Sequence, residues 1–141
     1  MSPKLSATVL KLASWSVIAF ALLLGTASYA AIDAPAQFVL DLLDWPLDGN
    51  HADISRDMRW MASVVSGLLV LLGTMMIWIV APQVGAGNKP VARVAFWGVA
   101  AWAVIDCVGS YAAGVGSNSL WNMAFAMPFL ASLGLMNPNK A

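Results

Sequence analysis

Four apolar stretches dominate this sequence of 141 residues, and they lie at about 12–32, 58–81, 91–113 and 120–136. Each is close to the about 20 residues that a helix needs to cross the hydrocarbon core of a bilayer. Hydrophobic residues make up 60% of the chain and charged residues 10%, whereas soluble domains carry about 25% charged residues. We therefore predict an all-α, polytopic membrane protein, a four-transmembrane-helix bundle that forms a single domain over residues 1–141.

The last stretch is the shortest, and Pro128 lies inside it. Proline has no N–H to donate and crowds the preceding turn, so we expect a kink at this position. Membrane helices tolerate such a defect when neighbouring groups satisfy the freed carbonyl. We therefore count 120–136 as the fourth span, joined to the third by a short loop rich in glycine.

The connection between the first two stretches, residues 33–57, is acidic and is expected outside the bilayer. Apolar residues recur in it at near-helical spacing from Phe38 to Trp45, which predicts a short helix on the outer membrane surface. A plain loop folded onto the bundle is the alternative. His51 stands among carboxylates that can hold a divalent cation, but the surrounding residues are first of all a turn sequence, so we predict no metal site.

The positions of lysine and arginine predict the orientation, because cytoplasmic loops retain positive charge. Arg56 and Arg59 fall on one side of the predicted spans. The remaining basic residues fall on the other side, namely Lys4, Lys11, Lys89, Arg93 and Lys140. We therefore expect cytoplasmic N- and C-termini.

An alternative for the first stretch is a cleaved signal peptide, with small residues at Ser28 and Ala30 as the cleavage site. The apolar run is about 20 residues long, whereas the apolar region of a signal peptide has about 7–15. This length favours a retained helix.

Small residues four positions apart predict which helices approach closely, because lipid provides no hydrophobic drive for helices to associate. Such pairs occur in the second and third stretches, at Ser63 and Gly67, Gly109 and Ala113, and Ser110 and Gly114. We therefore expect the second and third spans to form the tightest contact.

Asp106 is the ionisable side chain set inside a predicted span, and a charge in the membrane is costly enough to mark a candidate site. Ser110 lies one helical turn away, and Arg59 lies at a comparable height in the second span. Asn118 and Asn122 follow at the start of the fourth span. These residues form our candidate polar cluster.

Two interpretations of this cluster stay open. In the functional one, the cluster lines a pocket that opens outward and takes a proton, an ion or a headgroup. In the structural one, Asp106 and Arg59 form a buried ion pair that fixes how the helices meet. We favour the structural one, because proton relays generally contain several intramembrane carboxylates or histidines.

Other chemistry finds little support in the composition. The chain has one cysteine, Cys107, and one histidine, His51, so neither a metal site built from such ligands nor a catalytic triad is expected. We predict no catalytic residues, no cofactor and no bound metal. Equal numbers of acidic and basic residues, seven of each, form no basic patch and give no reason to expect a nucleic-acid partner.

Several of these residues resemble the pattern of small four-helix membrane proteins, of a domain of unknown function, that occur mainly in alphaproteobacteria. The similarity covers most of the chain from the first span onward, and it implies a four-helix fold in a bacterial inner membrane without any known activity. The similar features are Asp44-Trp45-Pro46-Leu47-Asp48-Gly49, Arg59 at the start of the second span, and Asp106, Ser110, Gly114, Asn118 and Asn122 at steps of four.

The sequence as a whole predicts a non-enzymatic accessory or assembly subunit that packs against other membrane proteins or against itself in the lipid bilayer. So few polar groups remain that substrate handling is hard to assign. A small carrier or channel-like protein that uses a pocket around Asp106 and Arg59 is the alternative. A membrane enzyme would require convergent acid, base or metal-binding groups, which the sequence does not offer.

Overall fold

The computed structural model of the chain describes residues 1–49, 53–137 and 139. Regular secondary structure in these residues is entirely helical, which confirms the all-α prediction. The helices are α1 (Pro3–Gly25), α2 (Ala34–Leu43), α3 (Arg56–Met75), α4 (Ala81–Gly85), α5 (Lys89–Ala112) and α6 (Asn118–Gly134), with a 3₁₀ turn at Thr26–Ser28 and a π-helical turn at Met76–Val80.

Three helical segments of the described chain are long and apolar enough to cross a membrane. They are Pro3–Ser28, Arg56–Gly85 and Lys89–Ala112, with 26, 30 and 24 residues. The fourth predicted span corresponds to α6, which has 17 residues and continues through Pro128. At about 1.5 Å per residue α6 is roughly 25 Å long, shorter than the about 30 Å of a bilayer core.

The first helix begins earlier than the apolar pattern predicts, at Pro3 instead of about residue 12. The Ser2 hydroxyl accepts a hydrogen bond from the Leu5 N–H at 3.3 Å. Serine caps helix starts in this way, and proline suits the first turn because its missing N–H needs no partner there. Local capping therefore fixes the start of α1. The short helix predicted from Phe38 to Trp45 is present as α2, which begins earlier, at Ala34, and ends at Leu43.

A wider turn joins α3 to α4. Residues Met76–Val80 are π-helical, and Pro82 follows them in the next turn. Pro82 cannot donate to the carbonyl of Trp78, four residues earlier, and its ring crowds that carbonyl. The π turn accommodates this missing hydrogen bond and keeps Arg56–Gly85 a continuous helical segment.

The helices pack in an open series in which α1 is central. The main packing partners of α1 are α3, α4 and α6, and α5 packs mainly on α6. Both ends of the described chain meet at the start of α1, where the Asn137 N–H donates to the Met1 carbonyl at 2.9 Å and the Met1 amino group donates to the Leu135 carbonyl at 2.7 Å. Successive long helices, α1, α3, α5 and α6, therefore run antiparallel to one another.

The expected tight contact between the second and third spans is wrong. Among the described residues, α3 and α5 have little direct contact, and α5 meets the second segment mainly through α4 and the π turn. A Cβ atom added at Gly67 or Gly109 would have no neighbour within 4 Å, so these small residues face open space. The close approach occurs instead between α1 and α3, where a Cβ at Gly73 would lie 2.6 Å from Ile18 Cγ1 and 3.1 Å from the Ser14 carbonyl oxygen.

We expect Gly73→Ala to destabilise the protein by about 1–3 kcal/mol, because the added methyl group overpacks the contact between α1 and α3. Gly67→Ala is the matched control in the same helix, and it should leave stability unchanged or slightly higher because its methyl group meets open space. Equilibrium unfolding in mixed detergent micelles measures both. Equal stability of the two variants would contradict the close contact at Gly73.

Candidate functional site

An apolar groove separates α3 from α5 and has a volume of about 1030 Å³. Its walls include Val65, Leu68 and Leu72 from α3 and Trp102 and Ile105 from α5. The groove exists because α3 packs on α1 while α5 packs on α6, and α3 and α5 make little direct contact among the described residues. Leu72 and Trp102 also line a second hollow of about 560 Å³ further toward α4, so the gap between the helices extends along much of their length.

Helix α2 lies across one end of this groove because α6 and the preceding loop bind its last carbonyls. The Trp121 indole N–H donates to the Leu42 carbonyl at 2.9 Å, and the Ser117 hydroxyl donates to the Leu43 carbonyl at 2.6 Å. The final carbonyls of a helix have no partner within the helix, so these bonds satisfy groups that would otherwise need water. As a result, Asp41 and Asp44 stand at the wall of the groove.

The predicted polar cluster is partly assembled at this end. The Asn118 side-chain N–H donates to the Ser110 hydroxyl at 2.8 Å, and that hydroxyl donates to the Asp106 carboxylate at 3.3 Å. The spacing of four residues places Asp106 and Ser110 on one face of α5. Asp106 and Asn118 both line the groove.

Asn122 belongs to the same region. Its side chain is 7% exposed, and its Nδ2 atom has no hydrogen-bond acceptor among the described residues. Together with Asp106 and Asn118, Asn122 lines an inner cavity of about 210 Å³ that shares Trp102 with the groove. Four of the five predicted site residues therefore surround connected space at one end of the helices.

Arg59 does not join them, which corrects the predicted pairing with Asp106. Its guanidinium lies 2.8 Å from the Asp33 carboxylate and donates to the Ala27 carbonyl at 2.7 Å. Ala27 lies within the 3₁₀ turn after α1 and Asp33 precedes α2, and the packing of α1 and the 3₁₀ turn on α3 brings both residues next to Arg59. Arg59 and Asp33 form the structural ion pair, and Asp106 is left with a single hydrogen bond from Ser110 among the described residues.

Sequence reasoning missed the residues that hold α2 in place. Their hydrogen-bond partners are backbone carbonyls of α2, which no side-chain pattern reveals: Ser117 binds the Leu43 carbonyl and Trp121 the Leu42 carbonyl. Asp41 in α2 is buried and accepts backbone N–H bonds from Gly49 at 3.1 Å and Asp48 at 3.4 Å. The Asp-Gly pair at Asp48 and Gly49, seven and eight residues after Asp41, is the sequence signal for a turn whose backbone N–H groups bind this carboxylate.

Two other predicted features lie elsewhere. His51 and Lys140 fall outside the described residues. The Cys107 thiol is partly buried and faces the Ser119 carbonyl, with 3.8 Å between sulfur and oxygen.

The site is suited to binding. Within the part of the chain that the structure describes, a partly buried carboxylate, an amide N–H without an acceptor and an apolar groove lie side by side. Recognition pockets combine a mostly apolar wall with a few placed polar groups in this way. Within the described residues, no three His, Cys, Asp or Glu side chains come close enough together to hold a metal ion.

Comparison of the chain with protein-family models, with curated proteins and with solved structures finds no match. The resemblance to small four-helix membrane proteins therefore stays a prediction.

We expect Arg59→Met to destabilise the protein by about 1.5–3 kcal/mol, because it removes charged hydrogen bonds at the junction of α1 and α3. Arg56→Met serves as the control, since Arg56 is exposed one helical turn earlier. Asp106→Asn should change stability by less than about 0.5 kcal/mol, the range for sites without a strong partner. Unfolding in detergent measures all three, and a larger loss in Asp106→Asn than in Arg59→Met would contradict this division of roles.

Proposed function

We propose that the chain is a multi-pass integral membrane protein of a bacterial inner membrane, crossed by α1, Arg56–Gly85, α5 and α6, with both termini in the cytoplasm. Three apolar helices of sufficient length support this proposal. The resemblance stated above is the reason for assigning a bacterial inner membrane.

The charge distribution supports the proposed orientation. Lys4 and Lys11 lie in the first half of α1, and Lys89 and Arg93 lie in the first turns of α5. Both helices start at the end where Met1 contacts Leu135, since a Cβ at Gly85, just before α5, would meet Ala7 at 3.3 Å. The opposite end carries the acidic segment. Positive charge therefore gathers at one end of the helices, as it does on the cytoplasmic side of membrane proteins.

The packing of α1 supports a retained first helix over a cleaved signal peptide. Leu10 and Ala21 are completely buried, and α1 is the helix on which α3 and α6 both pack. Cleavage after Ala30 would remove this centre and leave α3 and α6 without a common surface. The mature protein in this proposal keeps α1.

The proposed function is that of a non-enzymatic accessory or assembly subunit that packs against other membrane proteins. The observation that carries it is the poor coverage of α5. In the most apolar part of each long helix, 17% of the α5 residues are buried, against 33% for the first helix and 28% for the second. Val104 and Val108 are among the exposed residues on α5, and a helix this open offers a face to a neighbouring chain.

A small carrier-like protein is the second candidate, and the groove next to Asp106 favours it. The polar groups that line the groove would bind the carried molecule. Asp106 would contribute to this binding and Arg59 would not, because Arg59 is paired with Asp33. A catalytic role is not proposed, because an enzyme needs an acid, a base or a nucleophile converging on one point.

Single cysteines introduced into a Cys107→Ala background test the topology. A membrane-impermeant maleimide added to intact spheroplasts should label Asp53→Cys. It should label Ala86→Cys and Asn139→Cys only after the membrane is opened, because an even number of crossings returns the chain to the cytoplasm. Labelling of Asn139→Cys in intact spheroplasts would contradict the crossing by α6.

A photo-reactive phenylalanine analogue tests the proposed packing role. Placed at Val104 on the open face of α5, it should crosslink in native membranes to a protein of defined mass, either another subunit or a second copy. The control is the same analogue at Leu12, which is equally exposed on α1 and should give no such product. If Val104 crosslinks to lipid alone, the accessory role is wrong.

A further inference from the structure

We propose that the groove between α3 and α5 binds a membrane phospholipid that carries a primary amine in its headgroup. The ammonium group would bind Asp106, an oxygen of the same headgroup would accept from Asn122, and an acyl chain would lie along the groove. This inference rests on the proposed membrane location and goes beyond the accessory role.

The first argument is the unpartnered amide of Asn122. A buried N–H group without an acceptor is costly, so such groups almost always have a partner. The Asn122 side chain is 93% buried and lines the inner cavity, and its Nδ2 atom lacks an acceptor among the described residues. A ligand in that cavity that presents an oxygen would satisfy it. Phosphodiester oxygens and ester oxygens of a phospholipid are acceptors of this kind.

The second argument is the sign of the charge. Asp41, Asp44 and Asp106 line the groove, and no lysine or arginine of the described residues contributes to its walls. The nearby Arg59 is already bound to Asp33. Carboxylates beside an apolar wall create a negative potential that attracts a cation. From the described part of the chain, Asp106 accepts one hydrogen bond, that of Ser110, so its oxygens have room for an ammonium donor.

The third argument is shape. The groove is lined mainly by aliphatic residues and Trp102, and its length continues into the hollow of about 560 Å³ nearer α4. A hydrated ion would gain nothing from such walls, whereas an acyl chain would. In the proposed orientation the polar end of the groove lies at the outer side of the membrane, at the depth of the headgroups. The whole arrangement therefore matches a molecule with an amine at one end and a hydrocarbon chain behind it.

Native mass spectrometry of the detergent-solubilised full chain tests this inference. An equimolar mixture of phosphatidylethanolamine and phosphatidylglycerol of matched chain length should give about tenfold more of the ethanolamine adduct, equivalent to about 1.4 kcal/mol. Phosphatidylcholine, whose quaternary amine cannot donate a hydrogen bond, should bind less than phosphatidylethanolamine. Equal binding of the ethanolamine and glycerol lipids would overturn the proposal.

Variants locate the site. Asp106→Asn should abolish the preference, and Asn122→Leu should weaken binding, while Asp57→Asn, outside the groove, should keep the preference. Because Asn122→Leu alters a buried position, its folding is checked by unfolding in detergent, and Asp106→Asn decides the outcome if that variant does not fold. An unchanged preference in Asp106→Asn would overturn the assignment.

The source of the amine is tested by competition with phosphoethanolamine, which has the headgroup without chains. It should fail to displace the lipid at matched concentration, and equal displacement would overturn the role of the groove. These results are independent of the topology and crosslinking experiments. A lost preference with correct topology therefore refutes this inference alone.

Discussion

The close approach of α1 and α3 at Gly73 sets the positions of the other helices. A residue without a side chain allows the backbone of α3 to lie against Ser14 and Ile18, so α3 occupies one side of α1. Helix α6 takes another side, and among the described residues α5 then packs mainly on α6, with smaller contacts to α4 and the π turn. The gap between α3 and α5 is a geometrical consequence of this order of packing.

The acidic segment completes the arrangement through its backbone. Helix α2 is too short to be stable by itself, since isolated helices shorter than about 12–15 residues are marginal in water. Its N-terminal part is held by the Thr26 hydroxyl, which accepts from the Ala36 N–H at 3.1 Å, and its last carbonyls are bound by Ser117 and Trp121. These contacts at both ends place the carboxylates of α2 at the groove.

The existence of the helices could be predicted from the sequence, because the length of an apolar run is a local property. Their partners could not, because small residues at a spacing of four indicate only that some backbone can approach. Gly67 and Gly109 each have a small residue four positions away and face open space. Gly73 makes the close contact although it belongs to none of the predicted small-residue pairs. Which glycine meets a neighbour depends on the rotation of each helix, which the apolar pattern does not determine in a membrane-like sequence.

The contacts of the polar residues could likewise be predicted within one helix and its adjoining turn, but not between distant helices. Asp106, Ser110 and Asn118 are connected by hydrogen bonds, as their regular spacing predicted, because one helix and a short turn link them. The predicted pairing of Arg59 with Asp106 is wrong because the height of a residue along α3 does not determine the direction in which its side chain points. It points to the turn after α1, where Asp33 and the Ala27 carbonyl offer a shorter path than a carboxylate across the groove.

The two groups of polar residues have different roles, one in stability and the other in recognition. The ion pair of Arg59 and Asp33 joins two helices and has a backbone carbonyl as an additional partner, so its groups are satisfied within the protein. Asp106 and Asn122 lie beside open space, and their hydrogen-bonding capacity exceeds what the described residues supply. In a chain this apolar, polar groups with unused capacity are expensive to keep inside the fold. Their position at the mouth of a groove gives them access to a partner from outside the chain, and it is this end of the molecule, where α2 meets α5 and α6, that we assign to recognition.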